Sequence, residues 1–160
     1  MVDRWTAPIA YHLTFTTYGT WLHGDERGSV TRKARKYVAP DPVLNEYMKE
    51  RLNYPKVALE AHARKIVHDA VEDYCEFKSW PLLALNVRTN HVHVVVKALD
   101  TASKMLHGIK SRATRVLRDT GDFERNQPVW TERGNKGLLK TEEAVANAID
   151  YVLDHQGPDI

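Results

Sequence analysis

Asn86-Val87-Arg88-Thr89-Asn90-His91-Val92-His93-Val94-Val95-Val96 decides how this chain is read. Branched valines suit a pleated surface, so the run predicts a β-strand from His91 onward. Residues two apart on a strand face the same side. His91 and His93 therefore aim at one face, and Val92, Val94 and Val96 fill the other. Neutral imidazoles side by side are ready metal ligands. The plain alternative is a pair of packed, hydrogen-bonded strand histidines.

A second group of residues stands near the C-terminus, from Thr141 to Pro158. Thr141 predicts an N-cap, Glu142 and Glu143 suit the helix dipole, and Gly157-Pro158 ends the segment. Val145, Ala148, Ile149 and Val152 recur at helical spacing as the apolar stripe. Tyr151 falls on the shoulder of that stripe, and His155 lies one turn on, along the same flank. Gln156 points instead toward the stripe. Two strand histidines and His155 make three metal ligands and leave positions open for a substrate oxygen. The Tyr151 hydroxyl beside them is placed to attack what binds there. Taken alone, Tyr151 also reads as an amphipathic interface residue and His155 as a C-terminal cation suiting the dipole.

Outward from these two segments, a first strand is predicted over residues 9–17, with Tyr11, Leu13 and Phe15 on one face. A loop rich in Gly and Asp leads into Arg32-Lys33-Ala34-Arg35-Lys36, with a short helix near 43–52. Pro55 suits the first turn of a long helix to about residue 77. Strands over 82–87 and 91–98 flank the turn Arg88-Thr89-Asn90. A helix over 101–119, a weak strand at 129–133, a turn at 134–137 and the final helix complete the chain. The order βαββαβ predicts a ferredoxin-like α+β fold: an antiparallel sheet with the 91–98 strand central and the tyrosine-bearing C-terminal helix on its histidine face.

The 160 residues, 42% of them hydrophobic, suit a single domain with a proper core, expected over 1–160. No apolar run approaches the ~20 residues that span a bilayer. The N-terminus lacks a signal-peptide core. A lone cysteine, Cys75, excludes an internal disulfide, and both facts predict a cytoplasmic protein. The net charge of +2 says little, but its distribution says more. Lys104, Lys110, Arg112, Arg115 and Arg118 stud one predicted helix with no acid between its ends. With Arg32, Lys33, Arg35 and Lys36 they are the candidate phosphate contacts, against the plain reading of a solvated face. Trp21 could stack on an unpaired base or anchor its loop, and His23 with Asp25 lacks ligand spacing.

The opening strand, the His91-Val92-His93 strand after a polar turn, the basic helix, Trp130 and the last helix with Tyr151 together resemble the HUH-type single-tyrosine transposases. These are the transposases of bacterial insertion sequences and the REP-associated tyrosine transposases. Relative to shorter members, residues 19–53 are an insert. The resemblance implies strand cleavage by Tyr151 through a 5′-phosphotyrosine, with strand transfer to follow. It implies single-stranded DNA with hairpins as substrate, and Mg²⁺ or Mn²⁺ held by His91, His93 and a third group four residues after the tyrosine. His155 stands there in place of the commoner glutamine, with Gln156 as the alternative. It admits monomers and homodimers, with the balance toward a homodimer, and action at the nucleoid. No GxxxxGK[ST] motif is present. The rival readings are a domesticated hairpin-DNA-binding protein without mobility and a zinc hydrolase that does not need Tyr151.

Overall fold

A computed structural model of the protein describes residues 6–31 and 33–157, so Arg32 and Pro158 lie outside the described residues. Ten elements follow one another: β1 (Ala10–Thr16), β2 (Ser29–Val30), β3 (Tyr37–Val38), α1 (Pro42–Glu50), α2 (Ala61–Phe77), β4 (Leu82–Val87), β5 (His91–Lys97), α3 (Ala102–Asp119), β6 (Asn135–Leu139) and α4 (Glu142–Asp154). The main sheet has the order β4-β5-β1-β6, with every pair antiparallel. Counting only these four strands, the order is second-third-first-fourth, the α+β arrangement predicted from the βαββαβ pattern. β2 and β3 form a separate two-stranded ribbon.

β5 is an inner strand, buried on both faces. Val92, Val94 and Val96 join Leu13 and Phe15 of β1 in the larger core, closed by Val67 and Val71 of α2 and Met105, Ile109 and Leu117 of α3. Val95 turns the other way, into a small cluster with Ala84, Ala148 and Val152. That cluster is where α4 docks. Two helices thus cover one face of the sheet and α4 covers the face that carries the histidines. Helix starts follow the capping rules. Asp41 accepts from Val43 and Leu44, Thr101 from Lys104, and Thr141 from Ala144.

Two boundaries differ from expectation. The last strand lies at Asn135–Leu139, overlapping the turn expected at 134–137 and running past it, while residues 129–133 contribute only a bridge from Trp130 to Thr17. Val129 and Trp130 are apolar because they plug the core, Trp130 standing edge-on to Phe15 at 4.9 Å between ring centroids. β6 is an edge strand with mostly wet side chains, so it lacks an apolar alternation. The long helix starts at Ala61 rather than near Pro55. Before it, Val57 and Leu59 are buried in extended chain, held by bonds from their N–H groups to the carbonyls of Tyr18 and Thr89.

Candidate active site

On β5 the imidazoles of His91 and His93 stand 4.9 Å apart, edge to face. The register sets Thr14 opposite His93 and Thr16 opposite His91. Pleating then brings His12, two residues from Thr14, onto the same face. His12 Nε2 lies 3.0 Å from His93 Nδ1, and Thr14 Oγ1 lies 3.1 Å from the same nitrogen. The sequence by itself places His12 only within the opening strand. Its signal was alternation: Tyr11, Leu13 and Phe15 face the core, so His12, Thr14 and Thr16 must face the histidine side.

Tyr151 arrives from α4. Its ring stands 5.7 Å from that of His93 and 6.0 Å from that of His12, edge-on to both, and the side chain is half exposed. Ala148 and Val152, on either side of it along the helix, hold the backbone against Val95. Asn86 of β4 donates its amide to the carbonyl of Val152 at 2.9 Å, tying the last turn of α4 to the sheet. The last carbonyls of a helix have no partner within it, and this amide takes one of them.

At the third position the geometry departs from the helical projection. Helical geometry puts His155 over Tyr151 and turns Gln156 away, but α4 ends at Asp154 and His155 is its C-cap, at φ −117° and ψ 24°. The chain turns there. His155 Nδ1 folds back on Asp150, 3.2 Å from its carbonyl and 3.4 Å from its carboxylate, and stays exposed. Gln156 takes the inward path. Its Nε2 donates to the carbonyl of Tyr151 at 3.1 Å, and its Oε1 faces His91 Nε2 at 3.4 Å.

The protonation chemistry suits ligation. Burial lowers the pKa of His12 and His91 from the ordinary histidine value. His93 is pushed down to about 4, by burial first and then by the neighbouring His91 and His12. All three are neutral near pH 7, the state in which imidazole binds metal. His91 Nδ1 donates to Asn90 Oδ1 at 2.7 Å, which leaves the lone pair on Nε2. That lone pair and Gln156 Oε1 therefore face each other at 3.4 Å as two acceptors. Such an approach is repulsive unless something positive lies between, and it is the spacing of two ligands that each sit ~2.0–2.2 Å from one cation. The donor set fits a divalent ion.

The candidate phosphate contacts are dispersed. Lys33, Arg35 and Lys36 are exposed at the turn joining β2 to β3. On α3, Arg115 is exposed, and Lys104 is paired with Asp100 at 2.7 Å. Lys110 reaches the carbonyl of Thr131 at 2.6 Å, and its pKa is lowered by burial. Arg118 bonds to the carbonyl of Gln127 at 3.1 Å. Lys110 and Arg118 thus shape the segment before β6. Arg112, Arg115 and Arg118 lie on the helix across the sheet from the histidines, away from any atom held at that site. His68, Asp69 and Glu72 cluster on α2, also on the far face, where Asp69 pairs with Lys65. Cys75 is buried and its thiol is pushed up to about 11, which leaves it inert. Among the described residues, no helix is long and apolar enough to cross a membrane.

Known proteins match at two levels. No protein of curated function matches the sequence. Among solved structures the chain is similar to a REP-associated tyrosine transposase bound to a REP hairpin, at 12% identity and TM-score 0.54, over 95% of this chain and 69% of that one. It is also similar to a provisionally assigned transposase from Deinococcus radiodurans R1, at 12% identity and TM-score 0.53, over 99% of this chain and 98% of that one. At such identity the likeness carries the fold. The IS200-like transposase family profile matches residues 48–136, more than half of the chain and including the histidine strand. By that match the protein belongs to the IS200-like transposases.

Proposed function

We propose that this transposase cleaves and rejoins single-stranded DNA through a phosphotyrosine on Tyr151. The observation that carries the reading is the meeting of two chain segments about sixty residues apart: in the C-terminal segment Tyr151 stands beside His93 of β5 and Gln156 faces His91. His91 Nε2, His93 Nε2 and Gln156 Oε1 are the proposed ligands for Mg²⁺ or Mn²⁺. An amide oxygen beside two imidazoles makes the set harder than three imidazoles would. A bound divalent ion supplies charge stabilisation for the scissile phosphate. His12 and Thr14 orient His93 by accepting from its Nδ1–H, which keeps Nε2 free.

Tyr151 is the nucleophile. Its oxygen attacks phosphorus, the bond from phosphorus to the 3′ oxygen breaks, and the leaving oxygen takes up a proton as a 3′-hydroxyl. The phosphotyrosine retains the bond energy, so a second 3′-hydroxyl can reverse the step and join a new strand. No nucleotide cofactor is needed. Tyr151 is half exposed, as a group must be that receives a long polymer. The exposed cations of the β2–β3 turn and Arg115 are the proposed contacts to phosphates of the same DNA.

The test is a denaturing gel of labelled single-stranded DNA from the flanks of the encoding gene, incubated with protein and Mn²⁺. A covalent protein–DNA band is expected from wild type and is lost in Tyr151→Phe and in His91→Ala. Hairpin binding with no adduct would favour a binding protein without mobility. An adduct that persists in Tyr151→Phe would overturn the assignment of the nucleophile.

A further inference from the structure

Beside the histidines the 19–53 segment builds a cleft of about 680 Å³. That volume lies in the ~300–1,000 Å³ range of small-ligand sites. One wall is the sheet itself, Thr14 and Thr16 of β1 with Asn135 of β6. Thr14 is also the residue whose hydroxyl touches His93, so the cleft and the candidate active site share that residue. The opposite wall is aromatic, made by Trp21 and Tyr37, with Gly28 between them.

That wall is braced by a chain of contacts. Trp21 donates its indole N–H to the carbonyl of Gly28 at 2.7 Å. The Arg27 guanidinium lies 4.4 Å from the centre of the same indole. Arg27 is in turn fixed by Asp25 at 2.6 Å and by the carbonyl of Thr20 at 3.0 Å. Gly28 has φ +72°, and a Cβ there would come within 2.5 Å of the Tyr37 ring, so glycine is what lets the tyrosine pack down. Despite this bracing both rings stay open: Trp21 is 45% exposed and Tyr37 is 68% exposed. Two large aromatics held in place yet left wet are poor core but good stacking surface. Asp25 neutralises Arg27, so the wall offers flat apolar faces rather than charge.

We infer that this cleft receives one unpaired nucleobase of the DNA strand whose phosphate lies at Tyr151, stacked on Trp21 and Tyr37. The inference rests on the nuclease reading above and adds to it a base-holding site made by the 19–53 segment. Stacking is tolerant of base identity because every base has a π-face. Holding a base here fixes the register of the strand against the histidines.

The test is fluorescence anisotropy with a labelled single-stranded oligonucleotide carrying the gene's flanking sequence, intact or with one abasic nucleotide moved along it. Trp21→Ala is expected to weaken binding of intact DNA by about 5- to 150-fold, the range for one lost stack. The slope of log affinity against log salt should not change, since no phosphate contact is removed. At one abasic position wild type should lose affinity to the same extent, and Trp21→Ala should lose nothing more. Tyr37→Ala, at a more exposed ring, repeats the cycle if Trp21→Ala fails to fold by circular dichroism. Wild-type affinity in both variants, with wild-type DNA binding intact, overturns the stacking site and leaves the nuclease reading standing. A loss in the variants that persists on every abasic oligonucleotide also overturns it. Failure of wild type to bind any of these oligonucleotides overturns both.

Discussion

At the residue scale the site turns on one helix terminus. Had α4 continued a further turn, His155 would lie above Tyr151 and Gln156 would be carried away. Ending it at Asp154 exchanges the two. The exchange predicts opposite outcomes for neighbouring residues. Gln156→Ala should weaken Mn²⁺ binding by about tenfold or more, as removal of groups around a metal typically does. His155→Ala should leave it within about twofold, because its imidazole faces Asp150 and solvent. Isothermal titration of Mn²⁺ into each variant decides this, and the reverse ranking would restore His155 as the third ligand. His12 shows the same dependence on local geometry. It earned no role from its own neighbours in sequence, and acquires one from a register that sets Thr14 against His93.

Elements matter here chiefly as carriers of single side chains. α4 buries little: Val145, Ala148 and Val152 inside, Ile149 partly so. A short helix with so small an apolar contact depends on its ends. Thr141 accepts from Ala144 at one end, and Asn86 donates to Val152 near the other. Thr141→Ala should destabilise the fold by about 1 kcal/mol, the usual cost of a lost N-cap. Urea denaturation measures it, and no change in midpoint would mean that the cap is not what starts α4. β6 illustrates the opposite case. As an edge strand it needs only backbone pairing with β1, so Asn135, Lys136 and Gly137 serve where a central strand would need apolar residues.

For the whole molecule, the sheet separates two tasks. One face holds the main core under α2 and α3, and the other holds the histidines under α4. β5 is the shared wall, flanked by β1 and β4 and with Val92, Val94, Val95 and Val96 all fully buried. Hydrogen exchange should therefore be slowest in β5 and β1, and fastest in the two-residue ribbon of β2 and β3, which packs no such core. Comparable protection in both, read by mass spectrometry, would contradict this layering. Much of the architecture was legible beforehand, because periodicity is a local property. The valines after His91 and the 3.6-residue stripe of α4 each state which side is buried. The chain alone thus determined the βαββαβ order, the central histidine strand and the tyrosine helix above it. It could not place β6, whose polar residues follow from its edge position rather than from any pattern of their own. Nor could it bring His12 and Gln156 to the histidines or set Trp21 and Tyr37 along one cleft. Those placements depend on strand register, on the turn at which a helix ends, and on where a long insert folds back, and each is set by contacts between residues far apart in the chain.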